Sequence, residues 1–182
     1  MTGPRTVVLD ACVLIPMPLA DTLLRIAAGP RLYIPKWSDE IMAEINRTLH
    51  EDFGLAAEKV RYREREIRRH FPEAWIEGYE HLIPRMTNHP KDRHVLASAV
   101  QARVGTIVTY NVKDFPASSL ALYSIHALGP SRFLKDLYAM SPEEIKGVLE
   151  AQAAAIGEPL QYVLSRLRVN VPGFVAMLEE TT

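Results

Sequence analysis

The chain has 182 residues, 48% hydrophobic and 24% charged, with a formal net charge of −1 at pH 7. That is the balance of a globular fold with one domain and some decoration, and no apolar run approaches the ~20 residues a membrane helix needs. The opening MTGPRTVVLDACVLIP lacks a leader layout, because Asp10 interrupts its apolar stretch and no small-residue cleavage site follows. Its one cysteine, Cys12, excludes an internal disulfide and a zinc–thiolate cluster within one chain, so a reducing cytoplasm is the expected compartment.

In chain order, TVVLD is an unbroken β-branched run ending in an acid, the pattern of a strand buried on both faces in a parallel sheet. LADTLLRIAAG predicts an amphipathic helix closed by Gly29, and Arg31–Pro35 a second short strand. Ser38 is placed to cap a helix carrying Ile41, Ile45 and Leu49 on one stripe, with Asp39 and Glu40 in its first turn. A basic helix follows from Leu55 to Phe71, stopped by Pro72. EAWIEGYEHLIPRMTNHP reads as a short helix plus loop. KDRHVLASAVQARVG predicts a helix with Val95, Ala99 and Ala102 inward and Gly105 as its stop. TIVTY is a further buried strand, NVKDFP a polar turn and LYSIHAL the last strand. This alternation predicts a parallel sheet of four to five strands covered by helices on both sides.

After Gly129-Pro130 the pattern is helical only. Ser141 is the expected N-cap of SPEEIKGVLEAQAAAIG, with Pro142 at the first helical position and Glu144 completing a capping box. PLQYVLSRLRVN and VPGFVAMLEET predict two shorter helices. There is no internal repeat and no low-complexity tract. The expected division is an α/β unit over residues 1–130 and a helical extension over 131–182.

A protein that grips phosphates gathers Lys and Arg somewhere. Such a gathering runs from Lys59 to His70 and includes Arg61, Arg63, Arg65, Arg68 and Arg69. It reads either as a solvated helix face laced with pairs such as Glu64–Arg68 or as a backbone-contacting surface.

The acids at element ends form the more informative pattern. Asp10 ends the first strand and Asp114 lies just past TIVTY; ligands of open α/β sheets bind outside the carboxyl ends of strands. Asp92 opens the preceding helix, and Glu44 lies on the turn beside Ile41 and Ile45. Singly, each has an ordinary structural explanation, with Asp10 and Asp92 as caps, Asp114 as a turn former and Glu44 as a surface helix residue. Converged, the four form a hard-oxygen pocket suited to Mg²⁺ or Mn²⁺, since packed carboxylates repel unless a cation compensates.

VVLDACVLIP, WSDEIMAEINRTL, KDRHVLASAV and TIVTYNVKDFP stand in the order and approximate spacing of PIN domains, and the chain resembles that family over roughly its first 130 residues. The likeness is strongest to the VapC-like subgroup, whose helical C-terminal extension the tail also resembles. The resemblance implies a three-layer α/β/α PIN-like fold with a C-terminal helical extension. Asp10, Glu44, Asp92 and Asp114 match the family's four acidic positions, which hold Mg²⁺ or Mn²⁺. Thr109 and Asn111 match its turn and are implied to orient a carboxylate or a water; otherwise they shape the turn alone.

The implied activity is metal-dependent endoribonucleolytic hydrolysis of RNA phosphodiesters, leaving a 5′-phosphate and a 3′-hydroxyl. Transfer, ribosomal or messenger RNA is the implied substrate, and Arg61, Arg65, Arg68 and Arg69 are the expected backbone contacts. The family likeness also implies a homodimer and a small VapB-like antitoxin that blocks the site with a basic side chain, the pairing of a type II toxin–antitoxin system.

Where many PIN domains carry Thr-Asn after the first acid, this chain has Ala11 and Cys12. Cys12 is expected to be a small buried residue, because an acidic neighbourhood raises a thiol's pKa and disfavours a nucleophile. His89 and His94 fit no familiar zinc spacing, and His94 is expected to pack or hydrogen-bond beside the site. Tyr33 and Trp37 are expected in the core. A haloacid-dehalogenase-type phosphatase wants a second acid where Cys12 stands, and phosphate-binding glycine motifs are absent. The remaining alternative is a non-catalytic PIN module that binds RNA or protein.

Overall fold

The computed structural model describes residues 4–181. Residues 1–3, over which part of the leader reading runs, and Thr182 of the extension lie outside the described residues.

Five strands form one sheet: β1 (Arg5–Leu9), β2 (Tyr33–Ser38), β3 (Trp75–Ile76), β4 (Thr106–Val108) and β5 (His126–Leu128). All pairings are parallel and the order is β3-β2-β1-β4-β5. Val7, Val8 and Leu9 of central β1 are at most 1% exposed, as a doubly covered strand requires. Six helices accompany the strands: α1 (Ala11–Leu14), α2 (Met17–Ala28), α3 (Asp39–Glu51), α4 (Ala57–His70), α5 (Arg93–Gln101) and α6 (Ala117–Leu120). The result is a three-layer α/β/α fold. Successive strands step outward from β1 to β2 and β3, and the chain then returns to the other side of β1 for β4 and β5. The reversal falls between the carboxyl ends of β1 and β4, where open sheets of this kind leave a crevice.

Local chemistry explains most boundaries. Ser38 Oγ accepts a hydrogen bond from the Ile41 amide at 3.2 Å and starts α3, whose Ile41, Ile45 and Leu49 are buried. Tyr33 and Trp37 are fully buried; the Trp37 ring meets Phe71 and Trp75 edge-on at 5.7 and 6.0 Å.

Several expectations need correction. The second strand starts at Tyr33 and runs through Pro35 to Ser38, because Trp37 and Ser38 pair with β3, inside a segment expected to be helix and loop. The last strand is confined to His126–Leu128, preceded by a 3-10 turn at Ala121–Tyr123 and by Ser124 at φ 54°. The helix expected from Lys91 to Gly105 starts at Arg93 and ends at Gln101. Arg103 takes the left-handed conformation at φ 53°, and the Val104 amide reaches back to the Ala99 carbonyl at 2.9 Å. That closure pulls Val104 into the core and leaves Ala102 half-buried. At Ser141 the expected side-chain cap is absent: its ψ of 72°, against 168° at Ser38, swings Oγ off the free amides, and its carbonyl alone accepts from Ile145.

Beyond residue 129 come α7 (Pro130–Met140), α8 (Pro142–Ile156), α9 (Leu160–Asn170) and α10 (Pro172–Glu180). Their apolar side chains join the core of the sheet region: Phe133 packs edge-on against Tyr33 at 5.0 Å. Buried Gln152 of α8 accepts from Thr22 Oγ1 of α2 at 2.7 Å and donates to the Pro18 carbonyl at 3.0 Å. No helix among the described residues is long and apolar enough to cross a membrane.

Candidate metal centre

The adjacent ends of β1 and β4 fix the first carboxylate. The Asp10 amide donates to the Val108 carbonyl at 3.1 Å, so Asp10 leaves the sheet beside Thr109. Asp10 is 3% exposed and three donors hold its side chain: the Ala11 amide on Oδ1 at 2.7 Å, the Thr109 hydroxyl on Oδ2 at 2.7 Å and the Cys12 thiol on Oδ2 at 3.3 Å. Asp10 thereby caps α1 and is immobilised by charge-assisted bonds. Thr109 Oγ1 in turn accepts from the Asn111 amide at 3.0 Å, so this hydroxyl links the first acid to the turn that carries Asp114.

Cys12 is half-buried, not fully so. Its sulfur lies 3.4 Å from Thr109 Oγ1 and accepts from the Tyr110 amide at 3.3 Å. Burial, with the Asp10 charge beside it, pushes the thiol up to about 12, so it stays protonated near neutrality. Cys12 is thus a weak donor to the same carboxylate that Thr109 and Ala11 hold.

Two 3-10 turns supply the next acids. Residues Pro90–Asp92 and Val112–Asp114 are each a single turn, joined by the His89 amide donating to the Asp114 carbonyl at 3.0 Å. A 3-10 turn eclipses positions three apart, which lays His89 over Asp92. A ring nitrogen of His89 and carboxylate oxygens of Asp92 and Asp114 lie within 4.8 Å of one another. Asp92 is 5% exposed, yet among the described residues no N–H or O–H donates to its carboxylate; its one partner is the His89 ring, at 3.9 Å. Burial, then the charges of Asp10 and Asp114, raise its carboxyl above the ordinary range, against the pull of Lys91 and His89.

Glu44, on α3, is not part of that three-residue group. Its oxygens lie 3.9 Å from Lys91 Nζ and 3.8 Å from His94 Nε2. With Glu40, Ala43 and Arg47 these residues line a cleft of about 260 Å³. His94 is buried, with Nδ1 unbonded and 3.8 Å from the Glu40 carboxylate. Asn111 contributes its amide to Thr109 and its carbonyl to the Asp114 amide at 2.8 Å.

The structure thus sets Asp10, Thr109 and Asn111 in one bonded chain, His89, Asp92 and Asp114 in a second group, and Glu44 beside them on Lys91 and His94. Sequence spacing set His89 aside because no zinc signature contains it; the signal was Pro90, which starts the tight turn two residues before Asp92. The donor set fits a divalent cation: oxygen ligands predominate, and a buried carboxylate with no hydrogen-bond donor faces two further acids.

The basic helix α4 is partly committed. Arg68 donates to Asp39 at 2.6 Å and Glu64 at 3.0 Å, and its guanidinium sits 3.6 Å above the Trp75 ring. Arg63 donates to the Leu14 carbonyl at 2.8 Å. Arg69 pairs with Glu66 at 3.7 Å, Arg65 sits 5.9 Å over Tyr62, and Arg61 is exposed. Between α2 and α4 runs an apolar groove of about 770 Å³, and none of the site acids lines it.

A PIN domain family model matches residues 6–113. A Mycobacterium tuberculosis (strain ATCC 25618 / H37Rv) protein named "Putative ribonuclease VapC50" is 42% identical over 106 residues, which cover 57% of this chain and 63% of that protein. No solved structure gives a significant match. With more than half its length matched and the acid-bearing turns inside a sheet of this order, the chain belongs to the PIN domain family.

Proposed function

We propose that this chain is a metal-dependent endoribonuclease that hydrolyses RNA phosphodiester bonds with Asp10, Glu44, Asp92 and Asp114 around a Mg²⁺ or Mn²⁺ centre. The observation that carries this reading is Asp92: a buried carboxylate that receives no hydrogen bond among the described residues and is crowded by Asp10 and Asp114. Such an arrangement costs folding free energy and is explained by a cation that offsets it. The 42% identity to a protein named as a ribonuclease supports the same substrate class.

A divalent ion bound there supplies Lewis acidity, easing deprotonation of water and offsetting charge on the phosphate. The chain's own residues do the positioning. Ala11, Thr109 and Cys12 hold Asp10 in one rotamer, and the amide of Asn111 holds Thr109. Lys91 and Lys113, each next to a site acid and exposed, stand where a phosphate backbone would cross the rim. Arg61, Arg65 and Arg69 on α4 are exposed and meet more distant phosphates, Arg69 by exchanging its surface pairing with Glu66. Arg68, tied to Asp39, Glu64 and Trp75, is held in reserve for the fold unless RNA displaces those partners. We further read residues 131–182 as a helical extension of the PIN unit, the functional assembly as a homodimer, and the chain as the toxin partner of a small VapB-like antitoxin with a basic side chain that enters the acid cluster.

The test is cleavage of total cellular RNA in Mn²⁺ or Mg²⁺ by wild type, Asp10→Asn and Asp92→Asn. Each substitution should lower the rate by at least about 10²-fold, the scale of losing one preorganised electrostatic group. Equal cutting by all three chains, or none by wild type across transfer, ribosomal and messenger RNA, would falsify the catalytic reading and favour a non-catalytic binding module.

A further inference from the structure

We infer that His89 is a nitrogen ligand of the divalent cation, so that the centre prefers a transition ion such as Mn²⁺ over Mg²⁺. The inference rests on the metal reading above and deepens it. The His89 ring is placed, not free to wander, for three reasons. Its backbone amide is bonded to the Asp114 carbonyl. Pro90 fixes the next φ at the start of the 3-10 turn. The Lys91 amide donates to its Nδ1 at 3.3 Å. That last bond marks the direction of the single Nδ1 lone pair; at 3.3 Å it is long, and a cation bound at Nδ1 takes the lone pair in place of the Lys91 amide.

The competing explanation is a plain ion pair with Asp92. At 3.9 Å from Nδ1 to Asp92 Oδ2 the two groups are too far apart for a hydrogen bond, and their side chains are 53% and 7% exposed. A charged histidine bonded to a buried carboxylate would close that gap, whereas the observed spacing lets both atoms bind one ion. Nor is the ring buried in the core: His89 is exposed. It is a solvent-facing side chain with a fixed lone pair beside two acids.

Ligand type then bears on selectivity. Imidazole nitrogen suits first-row transition ions, whereas Mg²⁺ takes oxygen ligands and keeps several waters. Without His89 the residues gathered here would offer oxygen alone, the set least able to tell Mn²⁺ from Mg²⁺.

The experiment uses the full chain loaded with Mn²⁺, read by pulsed electron paramagnetic resonance for ¹⁴N coupling and by calorimetry for affinity. Wild type should show imidazole ¹⁴N modulation that disappears when histidine is ¹⁵N-labelled. The signal should be absent in His89→Gln and retained in His94→Gln. Mn²⁺ affinity should fall about tenfold in His89→Gln, the lower end of what losing a group around a metal costs, with a smaller change for Mg²⁺. His89→Gln alters an exposed side chain, so its thermal unfolding should match wild type. Mn²⁺ bound by wild type without ¹⁴N coupling, or coupling that survives His89→Gln, overturns this inference and leaves the metal reading intact. A wild type that binds neither ion overturns both.

Discussion

Asp10 and Asp92 are the same side chain at neighbouring places in the centre, and the surrounding chain treats them in opposite ways. At the strand ends, Asp10 is buried and saturated with donors from an amide, a hydroxyl and a thiol. On the 3-10 turns, Asp92 is as deeply buried and receives none. One half of the centre is organised by the fold before any ligand arrives; the other is left with a charge the fold does not answer. A buried group that is satisfied contributes stability, and one that is not costs it. On the proposed metal reading, the difference separates a rigid anchor from a group left for a cation to answer.

The largest effect should come from breaking the anchored half. Thr109→Val removes the 2.7 Å donor to Asp10 and the acceptor for the Asn111 amide while keeping the side chain's shape. It should cost about 2 kcal/mol, measured by urea unfolding, with Thr109→Ser restoring most of it. An unchanged midpoint would mean that the bonded chain through Thr109 contributes nothing.

Neutralising each acid in metal-free protein should sharpen the contrast by moving stability in opposite directions. Asp10→Asn weakens a helix cap and charge-assisted bonds and should lower stability by about 1 kcal/mol. Asp92→Asn relieves crowding by Asp10 and Asp114 and should raise the midpoint by roughly 2–4 °C. The pH dependence has a matching sign. The folded pKa of Asp92 is raised, so its contribution to the metal-free fold is greatest when it is protonated and is lost as pH rises through that pKa. Asp92→Asn should remove this part of the slope in a melting series from pH 4 to 7. Two shifts of the same sign would refute the distinction between the halves.

Smaller effects are expected at the edge of the anchored half. Tyr110→Phe deletes the hydrogen bond from its hydroxyl to the Asn170 carbonyl, 2.9 Å away, and should cost about 1 kcal/mol. Smaller still is the chemistry of Cys12. With a pKa of about 12, about one part in 10⁴ is thiolate at pH 8. Native protein should therefore alkylate far more slowly than the urea-unfolded chain; equal rates would mean the thiol is not held by Asp10 and Thr109.

What the sequence showed of this arrangement follows from how local each signal is. Asp10, Asp92 and Asp114 were readable because each stands at the end of an element whose periodicity is strong. Ser38 and Ser141 carry the same capping letter, but only Ser38 has an extended backbone that aims its oxygen at a free amide. The two-residue strand Trp75–Ile76 has no periodicity to read; it exists because β2 offers Trp37 and Ser38 as partners and Arg68 covers the Trp75 ring. His89 was visible as a residue and invisible as a neighbour, since its place over Asp92 depends on a 3-10 turn in a stretch taken as loop and helix start. The Arg-rich helix shows the same limit: pairing between Glu64 and Arg68 is a four-residue rule, whereas the Asp39 and Trp75 partners of Arg68 are tertiary.

The tie between Tyr110 and Asn170 spans 60 positions, and that separation is also an interval of time. At about 5–20 residues per second, a ribosome needs about 3–12 s to pass from the loop's tyrosine to its anchor. For nearly all of that interval, from Asp114 onward, a nascent chain already holds the four candidate acids but lacks the carbonyl that latches the loop after β4, and α9 must fold before the latch can close. The loop beside the acids is therefore among the last parts of the described fold to be secured, although all four acids are made well before its anchor.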